Sequence, residues 1–87
     1  MTRIEYRPAT RHLSMRGHAG AAESGADPVC AALSIVACAL VDAGAAGELS
    51  DGAAELTLPD ADVSLALRAF RLLAENFPGN VRYDVVE

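Results

Sequence analysis

The dipeptide Asp27-Pro28 and the run Val29–Val41 that follows it constrain the fold of this chain more than any other segment. Aspartate accepts the free N–H groups at a helix start, and proline in the first helical position gives up only a donor that has no partner there. A helix is therefore predicted from Pro28 to about Ala43, where Gly44 and Gly47 stop it. Apart from Ser34 and two thiols the run is aliphatic, so the helix is apolar almost all round and both of its faces are expected to be covered. One face would pack on a sheet, the other on a second helix or a second copy of the chain. The run is too short to span a bilayer, which takes roughly 20 residues, so no membrane partner is expected.

The flanking segments read as strands and one more helix. Ile4 and Tyr6 alternate with Glu5 and Arg7, and after a turn at Pro8-Ala9-Thr10, Leu13 and Met15 alternate with Ser14 and Arg16, which predicts a hairpin. Gly17 to Ala26 reads as a loop. Ala54, Leu56 and Leu58 alternate as a third strand ending at Pro59. A second helix starts near Asp60 or Asp62, carries the stripe Val63, Leu67, Phe70, Ala74 and Phe77, and ends at Pro78-Gly79-Asn80. Val81, Tyr83 and Val85 form a last strand. The expected fold is a two-layer α+β domain over residues 1–87, with a small mixed or antiparallel sheet, two helices and the order β-β-α-β-α-β. A chain of 87 residues supports one such domain. With no tryptophan and few aromatics, the core must be built from small aliphatics.

The charge balance excludes one class of partner. The formal net charge is −5 and lysine is absent, so a nucleic-acid footprint is not expected. Arg3, Arg7, Arg11 and Arg16 read instead as a solvated strand face. Cys30 and Cys38 are the only cysteines. On one helix, eight positions separate them by about 12 Å, too far for a disulfide. Free thiols and a polar N-terminal segment point to the cytoplasm. His12, His18, Cys30 and Cys38 lack the paired spacings of zinc sites, so neither metal nor cofactor is expected.

The chemistry sits in Gly17-His18-Ala19-Gly20 and Asp27-Pro28-Val29-Cys30-Ala31-Ala32-Leu33-Ser34. A thiol in the first turn of a helix meets the positive end of the helix dipole and the first-turn N–H groups, which favour the nucleophilic thiolate. Those N–H groups also read as oxyanion donors. A histidine that folds back onto the thiol completes a minimal kit for covalent catalysis. Cys38, mid-helix, reads as core, and His12 as a surface strand residue. Ser34 lies one turn after Cys30, within reach of the thiol, a substrate or the Cys30 carbonyl. Residues 19–26 hold no large apolar anchor and are expected to order only when a peptide binds.

These residues resemble the ribosomal-processing cysteine protease family, Prp, whose pattern is Gly-His-Ala-Gly, a loop of about ten residues, then Asp-x-x-Cys-Ala-Ala-x-Ser. The resemblance runs along the whole chain, and Phe77-Pro78 stands where the family often has Tyr-Pro. It implies a dimeric cysteine endopeptidase that trims an N-terminal extension from a bacterial large-subunit ribosomal protein after a pair of aromatic residues. Carried over, Cys30 is the nucleophile and His18 the general base. Asp27 and Ser34 occupy supporting positions, and Gly17, Ala19, Gly20 and Gly25 belong to the substrate loop. Two positions depart from the family: Ala21 replaces the usual aromatic, and Pro28 the usual aliphatic residue. They motivate the alternative of a non-catalytic, peptide-binding dimeric module of the same fold.

Overall fold

A computed structural model describes residues 1–22 and 26–87. Seven elements follow in order: β1 (Thr2–Arg7), β2 (His12–Arg16), α1 (Pro28–Asp42), β3 (Ala46–Ser50), β4 (Ala53–Thr57), α2 (Ser64–Asn76) and β5 (Val81–Val85). The strands form one sheet in the order β3-β4-β2-β1-β5. The β1–β2, β2–β4 and β3–β4 pairs are antiparallel, and β1–β5 is parallel, so the sheet is mixed.

Two long connections place the helices. The segment β2-α1-β3 crosses β4, and β4-α2-β5 crosses β2 and β1. Each joins strands that run the same way, and right-handed crossovers are the rule for such units. The two leave antiparallel strands and travel in opposite directions along the sheet, so a shared hand puts both helices on one face. The side-chain pattern agrees. Ile4, Leu13, Met15, Ala54, Leu56 and Val81 are buried on the sheet side of the core, facing Val29, Leu33, Ala37 and Leu40 of α1 and Phe70 of α2. Phe70 is fully enclosed and its ring stacks on Tyr83 of β5, with centroids 6.5 Å apart.

The opposite face of the sheet is polar and open, and Arg3, Arg7 and Arg16 are exposed there. Its centre is Glu55, which accepts hydrogen bonds from Ser14 and Arg16 and shares one with His12. The His12 contact outweighs desolvation, and together with Ser14 and Arg16 it holds the Glu55 carboxyl below the usual glutamate range.

Three expectations are corrected. The β3 strand is an addition: between α1 and β4 the chain forms an edge strand, making the order β-β-α-β-β-α-β. All five of its residues are exposed, and Ala46-Gly47-Glu48-Leu49-Ser50 carries no alternating apolar pattern. The second helix is shorter than its stripe: it opens at Ser64, whose N–H and hydroxyl donate to the Asp62 side chain, and Phe77 lies beyond the last turn, exposed. Cys38, expected in the core, is exposed, as are Ile35 at 67% and Val41 at 40% on the outer side of α1, where a second helix or a second copy was expected.

Phe70 sets a stability prediction. Phe70→Ala is expected to cost about 3–5 kcal/mol, a large part of the roughly 5–15 kcal/mol that stabilises a folded domain. Phe70→Leu, which keeps most of the volume, should cost less than about 2 kcal/mol. Urea midpoints followed by circular dichroism check this; an unshifted midpoint for Phe70→Ala would contradict the packing described.

Candidate active site

The site is assembled where β2, the start of α1 and the β3–β4 turn meet. At the end of β2 the chain must pass close under β1. Gly17 has φ +93°, and a β-carbon there would lie against the Met1 carbonyl oxygen, so only glycine fits. Its N–H donates to the Gly52 carbonyl at 2.8 Å, and its own carbonyl accepts from the Thr2 hydroxyl at 3.2 Å. His18 follows immediately and projects into solvent, its side chain 61% exposed.

Ala19 anchors the loop. It is only 2% exposed, its N–H donates to Cys30 Sγ at 3.3 Å, and its carbonyl accepts from Asn80 Nδ2 at 2.9 Å. The expectation that nothing fixes residues 19–26 before a peptide arrives therefore fails at Ala19. Gly20 and Ala21 are exposed, and the Ala21 N–H is tied to Asp27. Gly25, expected in the substrate loop, lies outside the described residues.

Asp27 holds the loop and the helix together. Its Oδ1 accepts from the N–H groups of Val29 and Cys30 at 2.9 and 3.1 Å, and Oδ2 from Ala21 at 2.9 Å. Burial raises this carboxyl, but the N–H groups of Cys30, Ala21, Val29 and Ala22 outweigh it and hold the group below the usual aspartate range. One expectation is corrected here. The first-turn N–H groups do not stand free as oxyanion donors, because Val29 and Cys30 donate to the Asp27 side chain and Ala31 to its carbonyl.

Cys30 and His18 open onto the same cleft of about 280 Å³, between α1 and the β3–β4 hairpin. Leu33, Ser34, Ala37 and Cys38 line it from the helix; Leu49, Ser50, Asp51, Gly52, Ala53 and Ala54 line it from the hairpin. Cys30, Ser34 and Cys38 succeed one another at four-residue intervals along its helical wall. Among the described residues Ser34, exposed on the cleft wall, makes no hydrogen bond to the thiol or to the Cys30 carbonyl. Sequence reasoning missed three contributors. Asn80 reads only as a helix stop, Thr2 lies ahead of the alternating positions that mark the first strand, and Asp51-Gly52 falls in the hairpin that the alternation pattern did not reveal.

The charge on Asp27 makes a pH prediction. Its carboxyl is held below its unfolded value, so the stability it contributes is full above about pH 4 and is lost as pH falls through the folded value. Asp27→Asn keeps an oxygen for the helix cap but lacks the carboxylate that receives Ala21. The variant is expected to be less stable at neutral pH and to lose less stability between about pH 5 and pH 2 than the parent. Urea titrations across that range check it; equal acid sensitivity would contradict the assignment.

The sequence matches the family described as Cysteine protease Prp over residues 1–76. Among solved structures, the chain is similar to an essential ribosomal processing protease Prp from S. aureus in complex with a covalently linked product peptide. That match has 21% identity and a TM-score of 0.83, covering 99% of this chain and 100% of that one. The same protease in complex with a substrate peptide matches at 20% identity and a TM-score of 0.70, over 98% and 97% of the two chains. A Streptococcus mutans protein matches at 24% identity and a TM-score of 0.69, over 98% and 91%. Comparison with curated protein sequences finds no match. The likeness in structure supports the α+β fold, and the family match over most of the chain settles its kinship: this chain belongs to the Prp family of cysteine proteases.

Proposed function

We propose that this protein is a cytoplasmic endopeptidase that removes the N-terminal extension of a bacterial large-subunit ribosomal protein, with Cys30 as nucleophile and His18 as general base. The observation that carries the reading is the shared cleft: the first-turn thiol and the histidine open onto it together, and a backbone N–H already donates to the sulfur. The S. aureus relative, described as a ribosomal processing protease, supports the choice of substrate.

In this mechanism the Cys30 proton passes to His18, and Sγ attacks the scissile carbonyl carbon. The tetrahedral oxyanion needs N–H donors. The Ala19 N–H, 3.3 Å from Sγ, is assigned this role, since the helix's own first-turn donors are engaged by Asp27. The C–N bond then breaks, His18 protonates the departing amine, and the acyl group remains on Sγ as a thioester. A water molecule, giving its proton to His18, attacks the thioester carbonyl. The carboxylate product leaves and the thiol is restored. Ser34, one turn further along the cleft, is assigned a substrate contact.

Cys30→Ala and Cys30→Ser should abolish cleavage of a synthetic peptide carrying the aromatic pair of such an extension, with the fold intact. His18→Ala should slow it by about 10²–10⁴-fold. Cleavage persisting in purified Cys30→Ala protein would overturn the nucleophile assignment, and a parent thiol inert to alkylation would favour the binding-module alternative.

The same reading includes a homodimer through α1. Ile35 and Val41 leave apolar surface open on its outer side, and among its exposed residues only Asp42 is charged. Burying such a patch against a second copy removes it from water, with Asp42 at the end of the helix as the single charge to accommodate. Sedimentation equilibrium at micromolar concentration is expected to give twice the chain mass, falling toward the monomer in Ile35→Asp; a monomeric parent would contradict it.

A further inference from the structure

We propose that the β3–β4 turn, Asp51-Gly52, is the positioning device for His18: Asp51 holds the proton on Nε2, leaving Nδ1 as the nitrogen that takes the thiol proton. The inference rests on the reading of His18 as the general base. Three contacts carry it. Asp51 Oδ1 lies 4.0 Å from His18 Nε2. The Nε2 edge of the ring lies over Gly52, where a β-carbon would sit 2.8 Å from Nε2, 3.2 Å from Cε1 and 3.4 Å from Cδ2. The Gly52 carbonyl accepts the N–H of Gly17, the residue before the histidine, at 2.8 Å. The turn thus fixes the backbone on which His18 stands, leaves space for its ring, and presents a carboxylate to one nitrogen.

The other acid near the site is unsuited to this task. Both Asp27 oxygens are engaged by backbone N–H groups, and none of its hydrogen bonds reaches His18. Among the described residues Asp51 is the only carboxylate lining the cleft, where the other titratable groups beside His18 are Cys30 and Cys38. The Asp51 side chain is 97% exposed, so its effect on His18 in the free protein is screened by water. A peptide filling the cleft displaces water from between the two side chains and strengthens the interaction. An imidazole nitrogen fixed by an acceptor leaves the opposite nitrogen with its lone pair free. The arrangement gives His18 a third group to orient it, drawn from a turn distant in sequence from the Gly-His and Asp-x-x-Cys segments.

The test combines kinetics and NMR on the full chain, with the aromatic-pair peptide as substrate. Asp51→Ala and Asp51→Asn should lower kcat by about 5–30-fold with KM unchanged, and Asp51→Glu should recover most of the loss. In a His18→Ala background, Asp51→Ala should cost nothing further, because its effect passes through the ring. Long-range ¹H–¹⁵N spectra should show His18 as the Nε2–H tautomer in the parent and a changed tautomer balance in Asp51→Ala. An unchanged kcat in Asp51→Ala, or an equal loss with and without His18, would overturn the proposal while leaving His18 as base. A His18 spectrum indifferent to Asp51→Ala would overturn the contact whatever the kinetics. Full activity of His18→Ala would instead remove the base assignment on which it rests.

Discussion

The Asp27 carboxylate is the interaction on which the site depends. One oxygen starts α1 by taking the N–H groups of Val29 and Cys30; the other takes Ala21 from the loop that carries His18. A single side chain therefore sets the position of the thiol and of the loop relative to one another. Ala19 completes the connection from the other side, buried between Cys30 Sγ and Asn80. Gly17, His18, Gly20 and Ala21 of the loop are exposed, yet at Ala19 it is as much a part of the core as the strands beside it. Using the first-turn N–H groups for this purpose withdraws them from other work.

The sheet topology supplies the remaining wall. Because β2-α1-β3 crosses β4, α1 lies over the sheet with the β3–β4 hairpin along its flank. The facing residues Ala37, Ala53 and Ala54 are small, and the space they leave is the cleft that Cys30 and His18 share. The edge strand contributes little to the core, since none of its residues is buried. Its value lies in delivering Leu49, Ser50 and the Asp51-Gly52 turn to the cleft. α2 and β5 act at a distance: Phe70 and Val81 fill the core at the other end of the sheet, and Asn80, between these elements, reaches back to the loop.

Much of this was legible in the sequence, for identifiable reasons. Asp27-Pro28 is a local signal whose helix-cap partners lie within three residues, so the start of α1 was read correctly. Strict alternation in β1, β2, β4 and β5 reflects one buried and one solvated face, and those strands were found. β3 has no buried face and left no such pattern. Cys38 was misplaced because an all-apolar helix does not reveal which side meets the sheet; the buried stripe Val29, Leu33, Ala37 and Leu40 could be assigned only with the sheet in place. Asn80, Thr2 and Asp51 act through contacts to residues far away in sequence, and no spacing rule reports those.

The central claim is that the loop bearing His18 is fastened to the helix bearing Cys30 before any peptide arrives. Residue-resolved amide hydrogen exchange on the free protein measures this directly. The Ala19 and Ala21 N–H groups, donated to Cys30 Sγ and to Asp27, should exchange far more slowly than an unstructured chain, and Asp27→Asn should release Ala21. Exchange of both amides at the unstructured rate in the parent protein would contradict the account.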